Sequence, residues 1–214
     1  MLFRDRADAG RHLAERLRDY AGRSDVIILA LPRGGVPVAV EVARALGVPF
    51  DVFVVRKLGV PGHEELAMGA IASGGVRVLN DHVLTALGIS DVDIEAVSAA
   101  EKRELERREL LYRGDRPLPS LAKRTIILID DGLATGTSMR AAVAALRHHH
   151  PDRIIVAVPV GSTDTCFALS EEADEVICLY TPEPFAAVGW WYRNFAQTTD
   201  EEVRQALDNE GRLP

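Results

Sequence analysis

The chain has 214 residues, of which 47% are hydrophobic and 27% charged, with a formal net charge of −7. That size and balance suit one α/β domain with a small appendage, and the acidic excess argues against a general nucleic-acid binder, which shows a basic face. No apolar run approaches the roughly 20 residues that cross a bilayer, and the opening MLFRDRADAG has no apolar signal-peptide core. A cytoplasmic protein that contacts neither membrane nor nucleic acid is therefore expected.

Along the chain, apolar runs alternate with helical patterns. Ala9, Leu13, Leu17 and Tyr20 share one face of a first helix, with Asp5 or Asp8 available as its cap. DVIILAL (25–31) reads as a buried strand that breaks at PRGG (32–35). The following helix turns Val38, Val42 and Leu46 inward, and Gly47 is placed to end it. PFDVFVV (49–55) is a second strand. RKLGVPGHEE (56–65) is so rich in Gly, Pro and charge that an irregular mobile loop is expected. AMGAIA (67–72) and VRVLN (76–80), joined across Ser73-Gly74-Gly75, look like an antiparallel excursion.

Residues 91–113 form a long charged helix with i,i+4 pairs such as Glu104 with Arg108, and 116–123 a linker. A strand over 126–129 leads into Asp130 and Asp131, and the next helix turns Met139, Val143 and Leu146 inward. Its end, His148-His149-His150 before Pro151, suits the helix dipole better than a metal. Strands over 153–160 and 175–180 enclose another helix, and Thr199 with Glu202 makes a capping box for the last one. Cys166 and Cys178 are expected to be reduced packing residues.

This alternation predicts an α/β fold with a doubly wound, mostly parallel sheet. Ligands bind such sheets beyond the C-terminal ends of the strands, and the three unusual segments, 32–35, 56–65 and 130–138, fall there. Two adjacent carboxylates are costly to bury, so Asp130 and Asp131 should sit where their strand emerges. Thr135, Gly136, Thr137 and Ser138 then open a helix whose free N–H groups favour a phosphate. Gly136 permits close approach and the hydroxyls add donors. The acid pair would repel that phosphate. It is better used to accept from sugar hydroxyls or as outer ligands of Mg²⁺, and a phosphate beside a diol describes a ribose 5-phosphate. Arg33, Gly34 and Gly35 offer a second anion site, and Arg56 with Lys57 a third positive point, so the ligand is expected to be phosphorylated at both ends.

Residues 126–139 resemble the signature of the type I phosphoribosyltransferases. LPRGG (31–35) is similar to that family's pyrophosphate loop and VRKLGVPG (55–62) to the start of its flexible loop. The resemblance implies a core over 1–180, which holds the mobile loop and the charged helix, and a hood with a C-terminal helix over 181–214. It implies a homodimer in nucleotide metabolism that uses Mg²⁺ and phosphoribosyl pyrophosphate (PRPP). Asp130 and Asp131 would hold the ribose hydroxyls and meet the metal indirectly, Ala134 to Ser138 the 5-phosphate, and Arg33, Gly34, Gly35, Arg56 and Lys57 the pyrophosphate. Asp130, Asp131 and Lys57 would carry the catalysis. Ala134 stands where the hypoxanthine–guanine enzymes carry an Asp, so Glu64 or, as the first choice, Glu65 is the candidate acid/base. Phe185 and Trp190 would face a nitrogen heterocycle, although the hood has one residue extra and Arg193-Asn194 where an Asp is expected.

Other readings compete with an enzyme. Receiver domains also end a strand in Asp-Asp but lack the Thr-Gly-Thr-Ser loop, and no G-x-x-x-x-G-K-[ST] stretch exists for a P-loop. A non-catalytic PRPP or nucleotide sensor on the same fold is the strongest rival, against which stands the lack of a basic extension or strip.

Overall fold

The computed structural model describes residues 2–210. Residue 1 and residues 211–214, the outer ends of the two expected segments, lie outside the described residues. Five parallel strands form the main sheet: β1 (Val26–Ala30), β2 (Phe50–Val52), β6 (Thr125–Ile129), β7 (Arg153–Val160) and β8 (Glu175–Tyr180), in the order β2-β1-β6-β7-β8. Successive residues of β1 belong to opposite layers: Val26, Ile28 and Ala30 to one apolar cluster, Ile27 and Leu29 to the other. Both faces are covered, which is why these strands read as unbroken apolar runs.

The helices that cover them are α1 (Arg6–Arg16), α2 (Gly35–Leu46), α5 (Thr137–Arg147), α6 (Thr163–Leu169) and α7 (Asp200–Glu210). Asp5 caps α1 by accepting from the Asp8 N–H, and Gly47 ends α2 in the left-handed conformation. Thr199 and Glu202 exchange the expected capping-box bonds at 2.7 and 3.1 Å. No helix among the described residues is long and apolar enough to cross a membrane.

Residues 56–65 are not the irregular loop expected. They fall in a three-stranded antiparallel sheet of β3 (Val55–Val60), β4 (His63–Ala72) and β5 (Val76–Leu79). Pro61 and Gly62 are its turn, with Gly62 at φ 78°. Gly59 lets the strands approach, since a Cβ there would lie 2.8 Å from the Glu64 carbonyl oxygen. The pairing slips on both sides of Gly59, so the alternation that marks a strand is broken and its apolar half is hidden among charges. Leu58, Val60 and Met68 share an apolar cluster with Ile94 and Leu105 of α4 (Asp91–Arg113), while Val55, Val76 and Val78 pack with Ala142 and Val143 of α5. The arm is thus clamped between two helices. The short α3 (Asp81–Leu87), which the hydrophobic pattern does not announce, is capped by Asn80 and ended by Gly88.

Cys166 and Cys178, expected to be reduced, are bonded to each other. They lie 12 residues apart in sequence, and only the packing of α6 on β8 brings their Cα atoms to 6.9 Å.

Arg113 closes α4 and is buried. It donates to Asp51 at 3.1 Å, Glu109 at 3.1 Å and the Ser73 hydroxyl at 3.0 Å, which joins α4 to β2 and to the turn after β4. Burial pushes the Asp51 carboxyl up, and Arg113 opposes that shift. Arg113→Ala leaves the partly buried Asp51 without its hydrogen-bonded cation and takes a partner from Ser73 and Glu109 as well, so it should cost about 3–5 kcal/mol. Urea denaturation measures this, and a loss below about 1 kcal/mol contradicts the assigned role.

Candidate active site

The strand order of the main sheet reverses between β1 and β6, since β2 lies to one side of this pair and β7 and β8 to the other. Such a switch point opens a crevice beyond the strand ends. Asp130 and Asp131 emerge there, partly buried. The Asp131 N–H donates to Asp130 Oδ1 at 2.8 Å. Arg6 Nε and Nη2 both reach Asp131 Oδ2 at 2.8 Å. Asp130 Oδ2 and Asp131 Oδ1 have no partner among the described residues, and neither is sealed from solvent. Two adjacent, unengaged carboxylate oxygens are suited to accept from a vicinal diol.

Burial, then the charge of Asp131, pushes the Asp130 carboxyl well above the usual carboxylate range. Burial also raises Asp131, while Arg6 acts to lower it. The pair is therefore costly to keep ionised in the free protein.

The loop after β1 packs directly on this pair. A Cβ at Gly35 would lie 2.6 Å from the Ile129 carbonyl oxygen and 2.9 Å from Asp130 Cα, and one at Gly34 would strike the Asp131 carboxylate. Only glycine fits at either position. The Pro32–Arg33 peptide is cis. Arg33 Nη1 stands 3.8 Å from Asp200 Oδ1, which also accepts from the Tyr112 hydroxyl at 2.6 Å. Burial, reinforced by Asp200, raises the Tyr112 hydroxyl above its ordinary range.

On the other side, residues 134–138 form the start of α5. Bonds from Leu133 N–H to the Val160 carbonyl and from Ser162 N–H to the Leu133 carbonyl, at 2.9 and 3.0 Å, fix the loop to the end of β7. The Thr165 hydroxyl donates to the Ala134 carbonyl at 2.7 Å. Gly136 has φ 69°, a conformation that turns the chain into the helix. Among the described residues, the N–H groups of 135–139 have no hydrogen-bond partner. With the hydroxyls of Thr135 and Thr137, 3.1 Å apart, and that of Ser138, they form a donor-rich cradle for an anion.

Lys57 lines a cleft of about 360 Å³ together with Thr137 and Arg140. It also borders a second cleft, of about 590 Å³, with Arg56, Glu64, Glu65 and Glu101. Arg56 is engaged there by Glu101 at 2.6 Å. The structure thus groups Lys57 with the start of α5, and Arg56 and Glu65 with α4.

The hood is built jointly with the N-terminus. Phe3 forms a parallel bridge with Tyr192, donates to the Trp191 carbonyl at 2.9 Å and accepts from Arg193 N–H at 2.8 Å. The Tyr192 hydroxyl donates to the Asp131 carbonyl at 2.6 Å. Val188 lies over Gly132, where a Cβ would meet it at 2.6 Å. Phe185 is half-buried against Phe3 and Tyr192. Trp190 is 71% exposed, and Trp191 instead packs edge-on to Tyr180 with ring centres 5.3 Å apart. Arg6, Tyr192, Thr165 and Asp200 are site-supporting residues that sequence reasoning missed. The only signal for Arg6 is a cation in the first turn of a helix, where the dipole disfavours it.

A family model described as the phosphoribosyl transferase domain matches residues 3–184. A Mycobacterium tuberculosis protein (strain ATCC 25618 / H37Rv), provisionally named a phosphoribosyl transferase, is 49% identical over 207 residues, which are 97% of this chain and 46% of that protein. The chain therefore spans about half the length of the curated relatives it matches. The crystal structure of TT1426 from Thermus thermophilus superposes with a TM-score of 0.89 at 42% identity, over 99% of this chain and 100% of that one. AQ2163 from Aquifex aeolicus, with a TM-score of 0.52 at 11% identity over 86% of this chain and 78% of its own, shares the fold alone.

The raised Asp130 carboxyl makes a prediction about the free protein. A carboxyl whose folded pKa lies above its unfolded value contributes stability at low pH and loses it as pH rises through the folded pKa. Asp130→Asn keeps the Oδ1 acceptor and removes the charge, so it should stabilise the protein by about 0.5–2 kcal/mol at pH 8. Near pH 4 the gain should vanish. Denaturation midpoints at the two pH values decide it, and a destabilisation at pH 8 refutes it.

Proposed function

The chain belongs to the phosphoribosyl transferase domain family, and we propose that it transfers ribose 5-phosphate from Mg²⁺–PRPP to a nitrogen acceptor with release of pyrophosphate. One observation carries this reading. Among the described residues, one oxygen each of Asp130 and Asp131 is unengaged at the sheet's switch point, shortly before a loop and helix start whose five N–H groups, 135–139, have no partner.

In the reaction the acceptor's nitrogen lone pair forms a bond to the anomeric carbon. The bond from that carbon to the pyrophosphate oxygen breaks, and its electron pair leaves with pyrophosphate. The ring carries oxocarbenium character between these events. Asp130 Oδ2 and Asp131 Oδ1 accept from the ribose 2- and 3-hydroxyls, and residues 134–138 hold the 5-phosphate. Arg33 and the Gly34 N–H face the leaving group, while the Gly35 N–H is taken by the Leu31 carbonyl at 3.1 Å. Positioning of this kind supplies much of the rate.

Among the described residues no three His, Cys, Asp or Glu side chains cluster as a metal site. Mg²⁺ keeps several waters and binds through one or two carboxylates and the substrate's phosphates, a pattern that the open oxygens of Asp130 and Asp131 fit through water. When bound, the ion would offset charge on the leaving pyrophosphate. Lys57, beside Thr137, adds positive charge from the arm.

The acceptor is a planar, purine-like heterocycle. Ala134 leaves no carboxylate for a guanine or hypoxanthine proton, and Glu65 or Glu64 on the arm is the candidate acid/base. Pyrophosphate release from PRPP, screened over nucleobases and other amines, tests the function. Adenine-like bases should support release better than guanine. PRPP binding with no release for any acceptor assigns a PRPP sensor instead.

Asp131→Asn removes one charged acceptor of the diol. PRPP should bind about 1.5–3 kcal/mol more weakly, roughly 10- to 150-fold. Calorimetry with equal affinities for wild type and variant would sink the assignment of Asp131.

A further inference from the structure

We infer that Arg6 is a positioning residue for the ribose site: its guanidinium fixes the Asp131 carboxylate in one orientation and ties the hood to it. The inference rests on the transferase reading, and it concerns a residue outside every loop that the reading uses.

The geometry is complete on all sides of the group. Nε and Nη2 both converge on Asp131 Oδ2 at 2.8 Å, while Nη1 donates to the Ala196 carbonyl at 2.6 Å. The guanidinium carbon lies 3.9 Å from the centre of the Phe195 ring. The Arg6 side chain is 11% exposed. The neighbouring arginines do otherwise, since Arg4 and Arg11 both turn to Asp8. Arg6 alone of these faces the crevice.

This contact divides the work of the carboxylate. Oδ2 is held by Arg6, so one oxygen of the carboxylate is committed and the other is left open. The Tyr192 hydroxyl holds the carbonyl of the same residue at 2.6 Å. Asp131 is thus anchored at backbone and side chain before substrate arrives, and binding need not order it. A planar fork meets Asp131, Ala196 and Phe195 at once, whereas a lysine ammonium can keep the pairing with Asp131 but not all three contacts. The same fork joins residues 195–196 of the hood to Asp131, so the hood is tied to the residue that sets the ribose side.

The test is a double-mutant cycle on PRPP binding, read by calorimetry with Mg²⁺ present. Arg6→Gln should weaken PRPP about tenfold or more. In an Asp131→Asn background the same change should alter the constant by less than about twofold, because Arg6 acts through the carboxylate. Arg6→Lys, which keeps the charge without the fork and guards against a misfolded glutamine variant, should recover part of the lost affinity. Equal weakening in both backgrounds overturns the inference, as does a lysine variant no better than the glutamine one. Wild-type binding matched by Arg6→Gln overturns this inference alone. A wild type that does not bind PRPP overturns the transferase reading and this inference together.

Discussion

Two like charges held side by side at the end of the central strand of an apolar sheet are the constraint around which this protein is arranged. Asp130 and Asp131 follow five fully buried residues of β6, where an unpaired carboxylate is disfavoured. Each therefore has one oxygen engaged by the protein, Asp130 by a backbone N–H and Asp131 by Arg6, and one left open. Glycines at 34 and 35 let the neighbouring loop come close without displacing them. The N-terminal helix and the hood meet at the same point through Arg6 and Tyr192. Segments from both ends of the described chain thus converge on Asp131, one at its side chain and one at its carbonyl.

The same constraint explains an apparent waste. A core that ended in neutral residues would be more stable, because burial raises both carboxyl pKa values and the charge of Asp131 raises that of Asp130 further. Sites that must present charge to a ligand accept such a cost. Its counterpart is the Arg113 network between the charged helix and the sheet. There a buried cation is satisfied by Asp51, Glu109 and Ser73 and joins those two elements. One network leaves oxygens open, while the other closes on itself and joins two elements.

The arm of β3, β4 and β5 shows how composition can mislead. Gly, Pro and charge in 56–65 read as a loop, yet Pro61 and Gly62 are only the turn and Gly59 only the point of closest strand approach. Its apolar residues are buried by α4 on one side and α5 on the other. Neither partner is near in sequence to both faces of the arm, so no local pattern announces the burial. The disulfide between Cys166 and Cys178 has the same origin, in the packing of α6 on β8.

Local physics makes much of the protein legible in its residues alone. The unbroken apolar runs 26–30 and 126–129 specify strands covered on both faces, because side chains alternate between layers and each layer is dry. Glycine and hydroxyl spacing at 134–138 specifies a cluster of free donors at a helix start, because those donors lie in the backbone and side chains of consecutive residues. The capping box at Thr199 and Glu202 is local for the same reason. Arg6 on Asp131 is a contact across 125 residues, and Tyr192 on Asp131 one across 61. Such contacts depend on where helices and strands come to rest, which periodicity does not encode. The acid pair could be named from the sequence, but which of its oxygens are held and which are left for a ligand follows only from the packing of distant segments around it.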